Sequence, residues 1–389
     1  MSPPLTVMLV AAEASGDDRG AGLARALKRR LGDGVRLVGV GGAHMAEEGI
    51  ASPFDIADIS ILGLVDGLLS YPRIKRRVAD TAALAAREKP DVAVLIDSWG
   101  FTLRVAHALR AQDPGLKLVK YVGPQVWATR PGRTKTLAQA VDHLLTIHSF
   151  DAPLFEAEGL PTTFVGNAAL NIDFSQADPA GFRAALGIGP EDQVLLVVPG
   201  SRPSEVRRML PAFEDAVNRL KSERPDLAIV IPAAPTVAET IKARVAGWPH
   251  RAHVVEGEGA KLDAMKTATF ALACSGTVTL ELALAGCPMV VGYRLDPLTA
   301  FIAVRFLLRT PYITLFNIAA QAFVAPELLQ DACNGETLAR EARLRLDDPE
   351  LRARQIAAQY AALDKMGRGG PDPSEAAAQA VLDVVRAGA

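Results

Sequence analysis

Three cysteines in 389 residues, scattered at Cys274, Cys287 and Cys333, cannot make a disulfide framework or a thiolate metal centre. So sparse and odd a number fits a reducing compartment. The six histidines supply no metal site either. His250 and His253 adjoin Arg251 and Trp248, while His44, His107, His143 and His148 are dispersed without carboxylates at ligand spacing. No metal and no cofactor is expected. A span across a bilayer needs roughly 18 uninterrupted apolar residues, and no such run occurs. No charged leader with a cleavable apolar core precedes the first strand pattern. A net charge of −2 leaves no electrostatic footprint for nucleic acid.

What remains is a rhythm of apolar strand, loop and helix. Strand patterns fall at Leu5 to Ala12, Leu37 to Val40, Val92 to Ile96, Leu118 to Val122, His143 to Ile147 and Thr163 to Val165. A fresh series follows at Val194, Ala228 to Ile231, Ala252 to Val255, Ala268 to Cys274 and Met289 to Tyr293. Near-continuous apolar strands alternating with helices predict parallel sheets covered on both faces. Two such sets predict an α/β protein of two doubly wound, Rossmann-like domains facing a central cleft, at residues 1–170 and 171–366. Residues 367–389 read as a linker (Gly367 to Pro373) and a C-terminal helix (Ser374 to Arg386).

Four segments carry candidate chemistry. The strand ending at Cys274 runs into Ser275, Gly276 and Thr277 and then a helix holding Glu281. Small residues there admit a ligand to the backbone, and the helix start favours an anion. Glu281, about one turn on, is placed to accept hydrogen bonds from a ribose diol. The same pattern also suits an ordinary βα turn. The strand from Val194 ends in Pro199-Gly200-Ser201-Arg202, where arginine offers a donor fork to phosphate. The first strand runs into Glu13-Ala14-Ser15-Gly16-Asp17, a glycine turn whose acids suit sugar hydroxyls better than an anion. Gly39-Val40-Gly41-Gly42-Ala43-His44-Met45 fails as a dinucleotide fingerprint, because His44 stands where its third glycine belongs. Finally, Asp97 closes an apolar strand beside Trp99 and Phe101. It is either a helix cap or a carboxylate placed to take a proton from a hydroxyl.

Together these residues resemble the lipid-A-disaccharide synthase family along almost the whole chain. The resemblance is carried by residues 13–17, by 39–42 with Met45 and Gly49, by Pro90 to Asp97, and by Tyr121 to Ala128 with Arg130 and Arg133. It continues through Pro199 to Arg202 with Glu205, Ser275 to Glu281, Pro288 to Arg294, Asn317-Ile318 and Pro326 to Gln330. It implies a GT-B type inverting glycosyltransferase. The donor would be UDP-2,3-diacylglucosamine and the acceptor 2,3-diacylglucosamine 1-phosphate, joined β-1,6 with release of UDP. It implies Asp97 as the catalytic base. Arg202, with Ser201 and Ser275 to Thr277, would sit on the diphosphate, Glu281 on the ribose and Asn317 on nucleotide or donor sugar. Glu13, Ser15 and Gly16 would contact donor sugar or acceptor, and the C-terminal helix would pack back on the first domain.

The chain departs from the family at Ser98, Trp99, Gly100 and Thr102, and at Asn167, where the family carries histidine. Thr129 stands for a tryptophan and Asp151 for a glutamate. These departures bear on the acceptor rather than on UDP, and they keep three other readings in view. One is a UDP-sugar transferase of the same fold with another acceptor, the second a UDP-sugar epimerase, and the third an inactive nucleotide-sugar binding protein.

A tetra-acyl product also calls for a membrane surface. Residues 61–77 join apolar side chains, Leu64, Leu68, Leu69 and Ile74 among them, to the bases Arg76 and Arg77, a pattern suited to an anionic interface. Leu298 to Arg309 is a second such segment. Either is equally a core-facing helix with a solvated basic edge. The expectation is a cytoplasmic protein, peripheral on the inner membrane.

Overall fold

The computed structural model describes residues 3–59, 71–127, 130, 132–296 and 310–387. Leu64, Leu68, Leu69 and the 298–309 segment lie outside them. The chain forms two compact units: one runs to Asn167 and resumes at Gly370, the other is Ala168–Gly369.

In the first unit, β1 (Leu5–Ala11), β2 (Val35–Val40), β3 (Val92–Ile96), β4 (Lys117–Tyr121), β5 (His143–Thr146) and β6 (Thr162–Phe164) form a parallel sheet in the order β2-β1-β3-β4-β5-β6. Strands β1 and β3 are buried almost throughout, which is why they read as unbroken apolar runs rather than alternating ones. In the second unit, β7 (Val194–Val198), β8 (Ala228–Ala233), β9 (His253–Glu256), β10 (Phe270–Cys274), β11 (Met289–Tyr293) and β12 (Glu327–Leu329) take the order β12-β11-β10-β7-β8-β9. The sequence pattern gave no sign of β12, since three residues at a sheet edge carry too little periodicity.

Each sheet reverses its winding once: between β1 and β3 in the first unit, and between β7 and β10 in the second. At such a point the connections leave to opposite faces and open a crevice beyond the strand ends.

The final helix, Pro373–Ala387, belongs to the first unit. Its Ala377, Ala378, Val381 and Leu382 pack with Val7, Leu9 and Leu27. Its Glu375 pairs with Arg29 and Arg30 of the helix Ala14–Leu31.

Two expectations change in the first unit. Glu13-Ala14-Ser15-Gly16-Asp17 is not a loop ahead of a helix; the helix begins at Ala14, and the amides of Gly16 and Asp17 already donate to the Glu13 carbonyl. Ile74 is not a membrane contact. The helix Tyr71–Glu88 turns Ile74, Thr81, Leu84 and Ala85 inward, and Ile74 is buried in the core with Phe54 and Phe101. Arg77 follows it inward, paired with Asp58 and Asp80 and lying 4.8 Å over the Phe54 ring. Arg76 stays exposed.

Asp17 explains the glycine-rich 39–45 segment. Its carboxylate, 4% exposed, accepts from the amides of Gly42 (2.7 Å), His44 (2.9 Å) and Met45 (3.1 Å). The Met45 side chain fills the space beside Gly20 and Gly41, where an added Cβ would come within 2.4 Å and 2.5 Å of its sulfur. The glycines thus serve helix–loop packing. Asp17→Ala strands three amides at once, so it should lower unfolding stability by about 3 kcal/mol or more, measured by denaturant titration.

Candidate functional site

In the second unit, a cavity of about 540 Å³ opens at the carboxyl ends of β7 and β10, the point where the sheet reverses. Gly200, Ser201 and Arg202 line it from the β7 side, and Ser275, Gly276, Thr277 and Glu281 from the β10 side. The sequence segments around 200 and 276, 76 positions apart, therefore meet at one place.

The β7 loop is shaped by Glu205. Its carboxylate accepts from the amides of Ser201 (3.2 Å) and Arg202 (3.3 Å) and from the Arg202 guanidinium (2.8 Å). Gly200 has φ +109°, and a Cβ there would press within 2.7 Å of Glu205, so glycine is required. Thr236 ties the loop further by donating to the Ser201 carbonyl at 2.8 Å. Although paired with Glu205, the Arg202 side chain remains 76% exposed at the cavity rim.

On the β10 side, a Cβ on Gly276 would meet nothing within 4 Å, so the backbone there is open to a ligand. The amides of Thr279, Leu280 and Glu281 donate back to Gly276 and Thr277 carbonyls. The backbone that faces the cavity is thus that of Ser275 to Thr277 and of Val278, the first residue of the helix Val278–Leu284.

Glu281 is mostly buried and pairs through one oxygen with Lys261 at 3.0 Å, which also reaches Glu258 at 2.8 Å. Burial lowers the Lys261 pKa, but its hydrogen bonds to Glu258 and Glu281 outweigh that and leave it raised. Lys261 was not visible in the sequence as a site residue; it sits on a helix from a different crossover, Glu258–Thr267. Burial pushes the thiol of Cys274, beside the cavity, up to about 12, so it stays protonated at neutral pH.

Asn317 is not at this cavity. It is fully buried, donates to the Ala325 carbonyl and to Glu327 (both 2.9 Å), and accepts from the Ala325 amide (3.1 Å). Glu327, the first residue of β12, also takes the amides of Ile313 and Thr314. Asn317 thus fastens the helix Leu315–Ala320 to the sheet edge, a structural task that the resemblance did not disclose.

The first unit gathers Glu13, Ser15, Gly16 and Asp97 at its own reversal point, beyond β1 and β3. The Asp97 carboxylate accepts from the Ser15 hydroxyl (3.3 Å), Arg19 (3.1 Å) and the Ser98 amide (3.0 Å). It does not cap the helix Trp99–Gln112, whose N-cap is Ser98 without a side-chain bond. That removes the helix-cap alternative. Asp97 and Ser98 have φ +50° and +37°, two consecutive non-glycine residues in the left-handed region. Each costs about 1 kcal/mol or more and persists only if the surroundings impose it. Of the two expected aromatic neighbours, Phe101 is in the core against Phe54, and Trp99 stays partly exposed under the Arg133 guanidinium at 4.9 Å.

Beneath Asp97 lies Lys120, the penultimate residue of β4 and 3% exposed. Burial drives its pKa down to about 7, against the opposing pull of Asp97 and Glu13. A lone lysine within the apolar pattern Leu118 to Val122 was the one available sign of it.

Among the described residues, no group of three or more His, Cys, Asp or Glu is placed to hold a metal, and no helix is long and apolar enough to cross a membrane.

A model of the family described as lipid-A-disaccharide synthetase matches residues 7–381. The lipid-A-disaccharide synthase of Paramagnetospirillum magneticum is 43% identical over 385 residues, covering 99% of this chain and 98% of the relative. Among solved structures, a UDP-GlcNAc 2-epimerase from Neisseria meningitidis bound to UDP-GlcNAc superposes with a TM-score of 0.57 at 12% identity, covering 99% of this chain and 100% of that one. A spinosyn rhamnosyltransferase with its aglycone gives 0.53 at 14% identity, over 97% and 100%. Both likenesses speak to fold alone.

Lys120 sets a pH dependence. Its folded-state pKa lies below the ordinary 10.5, so its contribution to stability is complete above 10.5 and lost as pH falls through about 7. The unfolding free energy of the parent, minus that of Lys120→Met, should therefore rise from about pH 7 toward 10.5 in denaturant titrations.

Proposed function

The chain belongs to the lipid-A-disaccharide synthase family, a glycosyltransferase of lipid A and lipopolysaccharide synthesis joining a nucleotide-sugar donor to a sugar acceptor, and from that premise we propose a residue-level mechanism. The donor is UDP-2,3-diacylglucosamine and the acceptor 2,3-diacylglucosamine 1-phosphate. The single observation that carries the donor assignment is the cavity at the β7/β10 reversal. It combines open backbone at Gly276, an exposed guanidinium at Arg202 and a held carboxylate at Glu281.

Diphosphate binds between Arg202 and the Ser275–Thr277 loop. Ribose hydroxyls donate to the Glu281 oxygen that Lys261 leaves free. The acceptor 6-hydroxyl oxygen attacks the donor's anomeric carbon opposite the diphosphate. The bond from that carbon to the phosphate oxygen breaks with its electron pair, UDP leaves, and the hydroxyl proton passes to Asp97. Arg202 and the loop donors stabilise charge as it grows on the departing diphosphate. Ser15 and Arg19, already on one Asp97 oxygen, orient the base.

Incubation of the protein with both lipid substrates, read by mass spectrometry, should yield the β-1,6 disaccharide 1-phosphate and UDP. Asp97→Asn should cut turnover on the order of 10²-fold or more while sparing UDP affinity. Glu281→Ala and Arg202→Ala should instead weaken UDP binding by roughly 1.5–3 kcal/mol in calorimetry. Unchanged UDP affinity in both would move the donor site elsewhere. UDP-GlcNAc recovered unchanged after incubation removes the epimerase reading.

The lipid substrates call for contact with an anionic membrane face. Support comes from the start of the helix Tyr71–Glu88, where Tyr71 is 53% exposed and Arg73, Lys75 and Arg76 are exposed beside it. The contact is peripheral and on the cytoplasmic side. Arg73→Ser with Lys75→Ser and Arg76→Ser should lower binding to vesicles rich in anionic lipid, and added salt should do the same to the parent. Parental vesicle binding by the triple variant would place the contact on another surface.

A further inference from the structure

Lys120 is a buried cation that the mechanism above does not use. Its stem runs among Leu95, Leu103, Ala106, Leu137 and Val141, which offer the charge nothing. Among the described residues its ammonium has two partners, the main-chain carbonyl of Asp97 and the Thr102 hydroxyl at 2.8 Å. Leaving a charge in apolar surroundings opposes folding, and a methionine of similar length would fill the same space without that cost. The lysine is thus out of place as packing.

Its partners say what it does. Thr102 donates to the carbonyls of Asp97 (2.8 Å) and Ser98 (2.9 Å), so Lys120 and Thr102 together grip the backbone at the left-handed pair. The Asp97 amide is held as well, donating to the Tyr121 carbonyl at 2.9 Å, one residue along β4 from Lys120. Without such a grip, Asp97 and Ser98 would relax to ordinary backbone angles, and the carboxylate would swing away from Ser15 and Arg19.

We propose that Lys120 is a positioning residue: rooted in the sheet, its ammonium pins the Asp97 carbonyl and holds the turn that aims the Asp97 carboxylate beyond the strand ends. This rests on Asp97 acting as the base. A misplacement of about 1 Å in a reacting group is enough to slow a reaction on the order of 10²-fold.

The test is steady-state kinetics and thermal unfolding of the full chain carrying Lys120→Met, with Asp97→Asn alongside. The Met variant should unfold at a temperature no lower than the parent's at neutral pH, since the buried charge is gone and the Asp97 carbonyl still accepts from Thr102. Its KM for UDP-2,3-diacylglucosamine should be unchanged and its kcat lower by roughly 10- to 100-fold. Lys120→Gln, which keeps a donor, should fall between the two, and it serves as the readout if the Met variant does not fold. A kcat within twofold of the parent in the Met variant, with Asp97→Asn inactive, overturns the role of Lys120 alone. An active Asp97→Asn removes the base reading itself. A kcat loss in step with lost folding, unrelieved in the Gln variant, makes Lys120 merely structural and also overturns the inference.

Discussion

Each unit depends on the place where its parallel sheet reverses its winding. Parallel strands must be joined by crossovers, and strands buried on both faces leave no side chains free to recognise anything polar. Only at the strand ends, where neighbouring crossovers depart to opposite faces, do backbone groups and polar side chains stand uncovered together. In the first unit this brings Ser15, after β1, against Asp97, after β3. In the second it brings Ser201, after β7, to the same cavity as Gly276, after β10. Residues some 80 positions apart become neighbours because the strands before them are adjacent, and nothing local to either loop requires it.

That constraint also explains what could be read in the sequence. Interior strands such as β3 and β10 are continuous apolar runs, and Asp97 and Ser275 are simply the first polar residues beyond them. Polarity at the end of such a run is legible without a structure. The edge strand β12 is not, since it spans three half-buried residues. Asn317 shows the limit of resemblance: a residue kept within a family motif reads equally well as a ligand contact or as a clamp, and its burial decides for the clamp. The same holds for Ile74, whose apolar neighbours and basic flanks suit a membrane as well as a core until Phe54 and Phe101 are found on its far side.

The polar groups whose partners went unread, Asp17 among them although its turn was read as a sugar contact, share one property: they act through other groups of the protein. Asp17 is spent on the amides of a neighbouring loop, Lys261 on a carboxylate, Lys120 on a carbonyl. Each belongs to an element remote in sequence from what it supports. A one-dimensional pattern records what a residue is, but partners of this kind are set by strand order and crossover direction, which appear only when the sheet is assembled.

The return of the last helix to the first unit has a consequence for how the chain is made. The second unit is in effect an insertion, because the first starts before it and resumes after it at Gly370. The face of the first sheet that carries Val7 and Leu9 takes its cover in part from Ala377, Ala378 and Val381. On the ribosome, those residues emerge after the whole of the inserted unit. The inserted unit has all its strands available before that helix is made, whereas the first waits with apolar surface uncovered until the helix is released. The first unit is therefore begun before the inserted one and completed after it, and during that interval its uncovered sheet face is open to aggregation.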